Sequence, residues 1–187
     1  MSSFGNLTVL TGPSGVGKGT IVRKILDKHS DVWLSISATT RQPRAGETDG
    51  QHYFFLDKKE FQKIIENEGF LEWASFSNNF YGTPKKTVKE KIEEGNDVLL
   101  EIELEGARQI RKSYPEALQI FLAPPDLSEL EKRIRGRGTE SEESIRNRLE
   151  IADKEISASK EFDAVVINED INQAFREIEI LMDLKSF

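Results

Sequence analysis

Seven consecutive residues, Gly12-Pro13-Ser14-Gly15-Val16-Gly17-Lys18, combine three glycines with a closing lysine. Glycines let the backbone turn tightly enough to aim successive N–H groups at phosphate oxygens. A lysine at the end adds a mobile positive charge beside the bridging and terminal phosphates. The run follows a short apolar stretch, Asn6 to Thr11, and precedes Ile21, Val22, Ile25 and Leu26 at helical spacing. Strand, glycine loop and helix together are the setting a phosphate-binding loop requires, with the helix N-terminus adding a favourable dipole. Gly19 stands where such loops usually carry a serine or threonine hydroxyl for Mg²⁺, and Thr20 comes next. The direct metal ligand is therefore open, with water as one occupant, because Mg²⁺ dehydrates reluctantly.

A second constellation has the chemistry of an anion acceptor. In Ser37-Ala38-Thr39-Thr40-Arg41-Gln42-Pro43-Arg44-Ala45-Gly46-Glu47, two arginines lie close enough to grip one phosphate dianion through planar forks of donors. Tyr53 and Tyr81 offer further hydroxyl donors, and Glu72 and Thr83 lie nearby in sequence. A third group is Arg133, Arg135, Arg137, Arg146 and Arg148, a basic, glycine-containing stretch. A solvated surface is the plain alternative for either arginine cluster. Trp73 is expected in the core as an ordinary large aromatic.

These groups need elements to hold them. Val32–Ser37, Tyr53–Leu56, Phe70–Phe76, Asp97–Glu103, Ala117–Leu122 and Ala164–Ile167 read as strands. Asp57 and Glu60 make an acceptable helix start, and Pro84 suits the first turn of a helix ending near Gly95. Further helical patterns fall near Leu127–Ile134, Ser144–Ile156 and Ile171–Leu184. Strands alternating with helices predict a parallel sheet covered on both faces. From about Ser35 to Lys91 that rhythm breaks into short aromatic strands punctuated by turns, including one at Asn78-Asn79, which predicts a small mixed subdomain inserted into the sheet domain.

The chain has 187 residues, 37% hydrophobic and 32% charged, in the range of one soluble domain. Its 26 basic and 33 acidic residues give a net charge of −7, unlike a protein that coats nucleic acid. There is no cysteine, so neither a disulfide nor cysteine-ligated zinc holds the fold. The start, MSSFGNLTVL, lacks the basic and long apolar parts of a signal peptide, and no stretch approaches roughly 20 apolar residues. The expectation is a cytoplasmic protein with no membrane, nucleic-acid or obligate protein partner.

Taken together, the phosphate loop, Ser-x-x-Thr-Thr-Arg-x-Pro-Arg-x-Gly-Glu, Glu72-Trp73, Tyr81-Gly82-Thr83 and the arginine-rich segment resemble the guanylate kinases. The resemblance runs from about residue 5 to the C-terminus. It implies an α/β fold: a P-loop three-layer sandwich with a central parallel sheet, a small mixed GMP-binding subdomain and a mobile helical lid. The corresponding boundaries are a core of about 1–34 and 92–187, an insertion of about 35–91 and a lid of about 133–148. It implies transfer of a phosphoryl group from ATP to GMP, with Mg²⁺ accompanying ATP. On that likeness Gly12, Pro13, Ser14, Gly15, Val16, Gly17, Lys18, Gly19, Thr20, Arg133 and Asn168 serve ATP. Ser37, Arg41, Arg44, Tyr53, Glu72, Tyr81, Thr83 and Glu101 serve GMP, with Glu72 reading the base. Guanine offers an N–H and an amino group side by side, and a carboxylate accepts from both, whereas adenine has no such pair. Lys18, Arg44, Arg137 and Arg148 are the candidate catalytic residues, while Arg135 and Arg146 fall between the functional lid positions and are expected at the surface. Glu101 and Glu103 stand where the family more often has aspartates, which leaves their division between GMP and metal open; Thr20 and Glu103 are the metal candidates. Asn168 is either an adenine neighbour or a polar cap on its strand. Two other activities stay in view: a non-catalytic phosphopeptide-binding module of guanylate-kinase type, and a kinase for another nucleoside monophosphate.

Overall fold

The computed structural model describes residues 4–136 and 141–184. Arg137, and with it part of the expected lid, lies outside the described residues.

Two sheets organise the chain. The larger contains β1 (Leu7–Thr11), β2 (Val32–Leu34), β7 (Asp97–Glu101), β8 (Leu118–Ala123) and β9 (Ala164–Ile167) in the order β2-β7-β1-β8-β9. All four neighbouring pairs are parallel. The alternation of β1 explains the layers. Leu10 points into one core with Ile21, Val22 and Ile25 of α1 (Lys18–Lys28) and Ile178 of α7 (Ile171–Leu181). Leu7 and Val9 point into the other, with Val88 and Ile92 of α3 (Lys85–Glu93) and Ala107 and Ile110 of α4 (Leu104–Ser113). Full burial of each such side chain contributes about 1.5–3 kcal/mol, so a sheet covered on both faces can afford to end its central strand in a polar loop.

The smaller sheet, β4-β3-β6-β5, is mixed. It is built from β3 (Ala38–Thr39), β4 (Phe54–Phe55), β5 (Phe70–Phe76) and β6 (Asn79–Pro84). It has its own core, in which Phe61 of α2 (Lys58–Glu66) stacks on Phe70 and Phe80 at ring-centroid distances of 4.4 and 5.5 Å. Asp57 caps α2 with a full capping box, its side chain accepting from the Glu60 N–H while the Glu60 side chain accepts from the Asp57 N–H. The α5 (Leu127–Arg135) and α6 (Glu142–Ser157) helices pack on each other through Leu130, Ile134, Ile145 and Ala152.

Several local expectations shift. The apolar run after β1's helix stops being strand at Leu34, because β2 is a short edge strand paired only with β7. The hairpin turn between β5 and β6 falls at Ser77-Asn78, both with positive φ, one residue earlier than the sequence suggested; this is the left-handed pair that a two-residue hairpin loop demands. Pro84 ends β6 and caps α3 instead of sitting in its first turn. Trp73 is not core: it is 38% exposed, meeting Phe80 edge-on at 6.0 Å, because β5 is buried only from Phe70 to Glu72 and leaves the core from Trp73 onward. Helix α4 has no counterpart among the expected elements: the strand expected to run to Glu103 ends at Glu101, and the helix begins at Leu104.

Candidate active site

The phosphate loop leaves β1 at the centre of the parallel sheet, where connections depart to β7 on one side and β8 on the other. Ligands of open α/β sheets bind at this kind of switch point, beyond the carboxyl ends of the strands. The N-cap of α1 is Gly17, in left-handed conformation (φ 107°), and no side chain caps the helix. A side chain at that position would collide with the Asn168 amide, 2.7 Å from where a Cβ would lie. The opening N–H groups of α1 thus face outward without a side-chain acceptor, the arrangement that favours an anion. Lys18 Nζ donates to the carbonyl of Gly12 at 2.5 Å and to that of Pro13 at 3.4 Å, which folds the lysine back over its own loop.

Two neighbours brace that loop. Asn168, 4% exposed at the end of β9, donates its side-chain amide to the Val16 carbonyl at 2.7 Å. Arg133 in turn donates to the Asn168 carbonyl at 3.0 Å. Arg148 on α6 donates to the Ser14 hydroxyl at 2.6 Å, which brings that helix directly onto the loop. Arg135 is exposed and tied to Glu131 and Glu142, away from the loop. Arg146 is also exposed.

A cleft of about 550 Å³ is lined by Ser37, Tyr53, Glu72, Tyr81, Glu101 and Glu103 among others. At its floor Glu72 and Thr83 are paired across β5 and β6, and Thr83 donates to the Glu72 carboxylate at 2.6 Å. Both are nearly solvent-free, at 8% and 1% exposure. Burial pushes the Glu72 carboxyl above its ordinary range, and the Thr83 hydroxyl and N–H work against that shift. The carboxyl group is thus held by Thr83 on one side and packed beside Gly106 on the other, a fixed acceptor in the wall of the cleft.

At the cleft's other end, the Tyr53 and Tyr81 rings meet edge-on at 6.2 Å, and the Arg41 guanidinium lies 5.3 Å over the Tyr53 ring. Arg41 is not unoccupied: its two terminal nitrogens hold the Glu47 carboxylate at 2.9 and 2.8 Å, and Glu47 also accepts from the Arg44 N–H at 2.7 Å. Hydrogen bonds from Arg41 and from the Arg44 backbone lower the Glu47 pKa to about 2. The loop from Arg41 to Glu47 is therefore closed by its own ion pair. Among the described residues the Arg44 guanidinium has no hydrogen-bond partner, so it remains available to an incoming anion.

Two carboxylates, Glu101 and Glu155, lie near Lys18, and Glu103 lies near both of them. Burial raises the Glu101 pKa, opposed by Lys18 and reinforced by Glu103. Burial also raises Glu155 to about 7, with Glu103 adding to the effect and Lys18 opposing it. Sequence reasoning missed Glu155. The available signal was its position seven residues beyond Arg148, on the same face of α6. It also missed Gly106 and Glu105, which line the cleft from the unanticipated α4. Among the described residues no cluster of three or more His, Cys, Asp or Glu side chains is arranged to hold a metal by itself, and no helix is long and apolar enough to cross a membrane.

The chain's relatives agree with this geometry. Residues 5–185 match the family described as Guanylate kinase. A protein named guanylate kinase from Prochlorococcus marinus (strain NATL2A) is 82% identical over 185 residues, covering 99% of this chain and 100% of that one. Another of the same name from Synechococcus sp. (strain CC9311) is 59% identical over 97% of this chain and 96% of its own length. The crystal structure of guanylate kinase from Anaplasma phagocytophilum superposes with a TM-score of 0.74 at 32% identity, covering 100% of this chain and 88% of that one. A shikimate kinase from Bacteroides thetaiotaomicron shares only the fold, at 13% identity, 96% and 99% coverage and a TM-score of 0.52. On the strength of the family match and these full-length likenesses, the chain belongs to the guanylate kinase family.

Proposed function

We propose that the protein transfers the terminal phosphoryl group of ATP to GMP, yielding ADP and GDP. The observation that carries this reading is the buried Glu72–Thr83 pair, whose carboxylate lines a cleft that is also lined by Glu101, the neighbour of Lys18 and Gly19. A buried carboxylate accepts the adjacent N–H and amino group of guanine and is left unpaired by adenine, which makes it selective as well as attractive. Tyr53, Tyr81, Arg41 and Arg44 hold the GMP phosphate, and Ser37 lies beside the nucleotide.

A GMP phosphate oxygen forms a bond to the γ-phosphorus as the bond from that phosphorus to the β–γ bridging oxygen breaks. The acceptor is already an anion at neutral pH, so no general base is needed. The protein's work is alignment and charge. Lys18 and the N–H groups of Gly15 to Gly19 cradle the ATP phosphates, while Arg133, Arg137 and Arg148 place positive charge on the transferring group. Closure of the arginine-bearing segment excludes the water that would otherwise hydrolyse ATP.

The residues present fit Mg²⁺ delivered with ATP. Gly19 offers no hydroxyl, but Glu101 lies 3.9 Å from the place a Gly19 side chain would start, and Thr20 and Glu103 stand nearby in the chain. These are hard oxygen donors, too few for an all-protein cage and suited to an ion kept partly hydrated on phosphates. Such an ion would supply positive charge to offset that of the ATP phosphates. A cysteine-free chain of this kind needs no oxidising compartment, and we assign it to the cytoplasm.

The test is a coupled assay of ADP release with GMP, dGMP, AMP, CMP and UMP in parallel. Turnover confined to the guanine nucleotides is expected; comparable rates with AMP would sink the assignment.

A further inference from the structure

Strand β5 is the outer strand of the small sheet, so among the described residues one side of its backbone has no neighbouring strand. Helix α4 covers that side. Gln109 accepts from the Trp73 N–H at 3.0 Å and donates to the Trp73 carbonyl at 2.9 Å. Its side-chain amide thus satisfies both backbone groups of one residue, as a one-residue strand would. Ser113 donates its hydroxyl to the Leu71 carbonyl at 2.7 Å. One turn before Gln109, Gly106 leaves space: a Cβ there would lie 3.0 Å from Glu72 Oε2. Gly106, Gln109 and Ser113 fall on one face of α4 by their spacing of three and seven.

These contacts bracket Glu72 from both sides along the chain. They also fall where the ladder is irregular. Phe70 pairs with Pro84, but Glu72 pairs with Thr83, so the register slips between them. Such a bulge re-aims a side chain and weakens local strand pairing. Here Leu71 turns into the main core while Glu72 turns into the cleft. On the edge away from β6, the backbone on both sides of Glu72 is fixed by α4 through Gln109 and Ser113.

We propose that Gln109 is a positioning residue for guanine recognition, clamping Trp73 on the edge of β5 so that Glu72 is held at the height where it meets the N–H and amino group of the base. The proposal rests on the reading of Glu72 as the guanine acceptor. Glutamine suits the task because only a side-chain amide carries a donor and an acceptor in one peptide-like plane. Methionine matches its length and offers neither. Gln109 does not line the cleft and touches no substrate; it acts through the backbone next to Glu72.

The experiment compares kcat/KM for GMP and for IMP, which keeps the ring N–H but lacks the amino group, at saturating ATP. Four proteins are used: the parent, Gln109→Met, Glu72→Gln and the double variant, with Tm and KM for ATP measured for each. Glu72→Gln is expected to lower the GMP:IMP ratio about tenfold or more, and Gln109→Met about twofold to tenfold, the worth of one ordinary hydrogen bond. KM for ATP stays at the parent value, and Gln109→Met adds no further loss of ratio in the Glu72→Gln background. A ratio unchanged by Glu72→Gln removes the base-reading assignment and this proposal with it. A ratio that falls with Glu72→Gln but not with Gln109→Met, or that Gln109→Met lowers equally in both backgrounds, overturns the positioning role alone. If Gln109→Met fails to fold, Gln109→Glu keeps the acceptor and removes the donor; its GMP:IMP ratio must also fall, and a parental ratio refutes the proposal.

Discussion

Thr83 and Glu72 face each other across β6 and β5, and the threonine hydroxyl donates to the glutamate carboxylate at 2.6 Å in a site almost free of solvent. The hydroxyl fixes Oε1, while Oε2 lies beside Gly106, which also lines the cleft. Replacing Glu72 by glutamine therefore substitutes a donor for an acceptor where guanine presents donors. Hydrogen bonds to charged groups are worth about 1.5–3 kcal/mol, so kcat/KM for GMP is expected to fall about tenfold to a hundredfold or more. Rates with AMP do not fall in parallel. Arg44→Ala is the control: it lowers turnover of every monophosphate alike, because all share the phosphate. Steady-state kinetics with both nucleotides decide; an unchanged GMP-to-AMP preference in Glu72→Gln moves base reading elsewhere, with Thr83 and Glu101 the next residues to change.

Lys18 folds back onto the carbonyls of Gly12 and Pro13 and contributes nothing to the apolar cores. Lys18→Ala should therefore keep the parent Tm while kcat drops more than tenfold, a barrier increase above about 1.4 kcal/mol. A variant that retains more than about a tenth of parental kcat by the same assay argues against a central role for this lysine.

Arg148 reaches the Ser14 hydroxyl at 2.6 Å, so the long α6 helix delivers it to the rim of the phosphate loop. Arg148→Ala is expected to depress kcat by about two orders of magnitude or more, with a smaller change in KM for GMP, as for a group that acts on the transferring phosphoryl in the transition state. Arg137→Ala should behave alike. Weak GMP binding with unchanged kcat would instead reassign the arginine to the acceptor site.

Glu155 provides a pH test. Burial, with Glu103 adding and Lys18 opposing, raises its carboxyl to about 7 in the folded protein, against about 4.5 when unexposed to such surroundings. The folded state then binds the proton more tightly than the unfolded state. This group's effect favours folding least at high pH: its contribution to stability declines as pH rises from about 4.5 and is fully lost above about 7. Glu155→Gln removes that decline. Thermal melts of the free enzyme should show the variant gaining Tm over the parent at pH 8 and losing the gain at pH 5, with about 2–4 °C for each kcal/mol recovered. A Tm difference independent of pH, or a loss at pH 8, would contradict the burial of a charged carboxylate there.

Much of this molecule is determined locally, and those parts are legible in the sequence. The phosphate loop needs glycines because its backbone must turn and approach closely, and Gly17 is in left-handed conformation at the start of α1. The capping box at Asp57 and Glu60, the strand Phe70–Phe76 and the strand Ala164–Ile167 follow from short-range pattern, and each is found where the residues put it. The tertiary structure decided what depends on partners far away in the chain. It made Trp73 an exposed residue, because β5 is buried only as far as Glu72 and runs out of the core from Trp73 to Phe76. It closed Arg41 onto Glu47, and it set Asn168 against the carbonyl of Val16, 152 residues away. It brought Glu155 toward Lys18 and Glu103, and it formed α4, whose Gly106 and Gln109 border Glu72 and Trp73. Periodicity reports which face of an element is apolar, but a side chain's charge state, its partner and the space around it arise only when separate elements pack, since burial and hydrogen bonding are properties of the assembled neighbourhood.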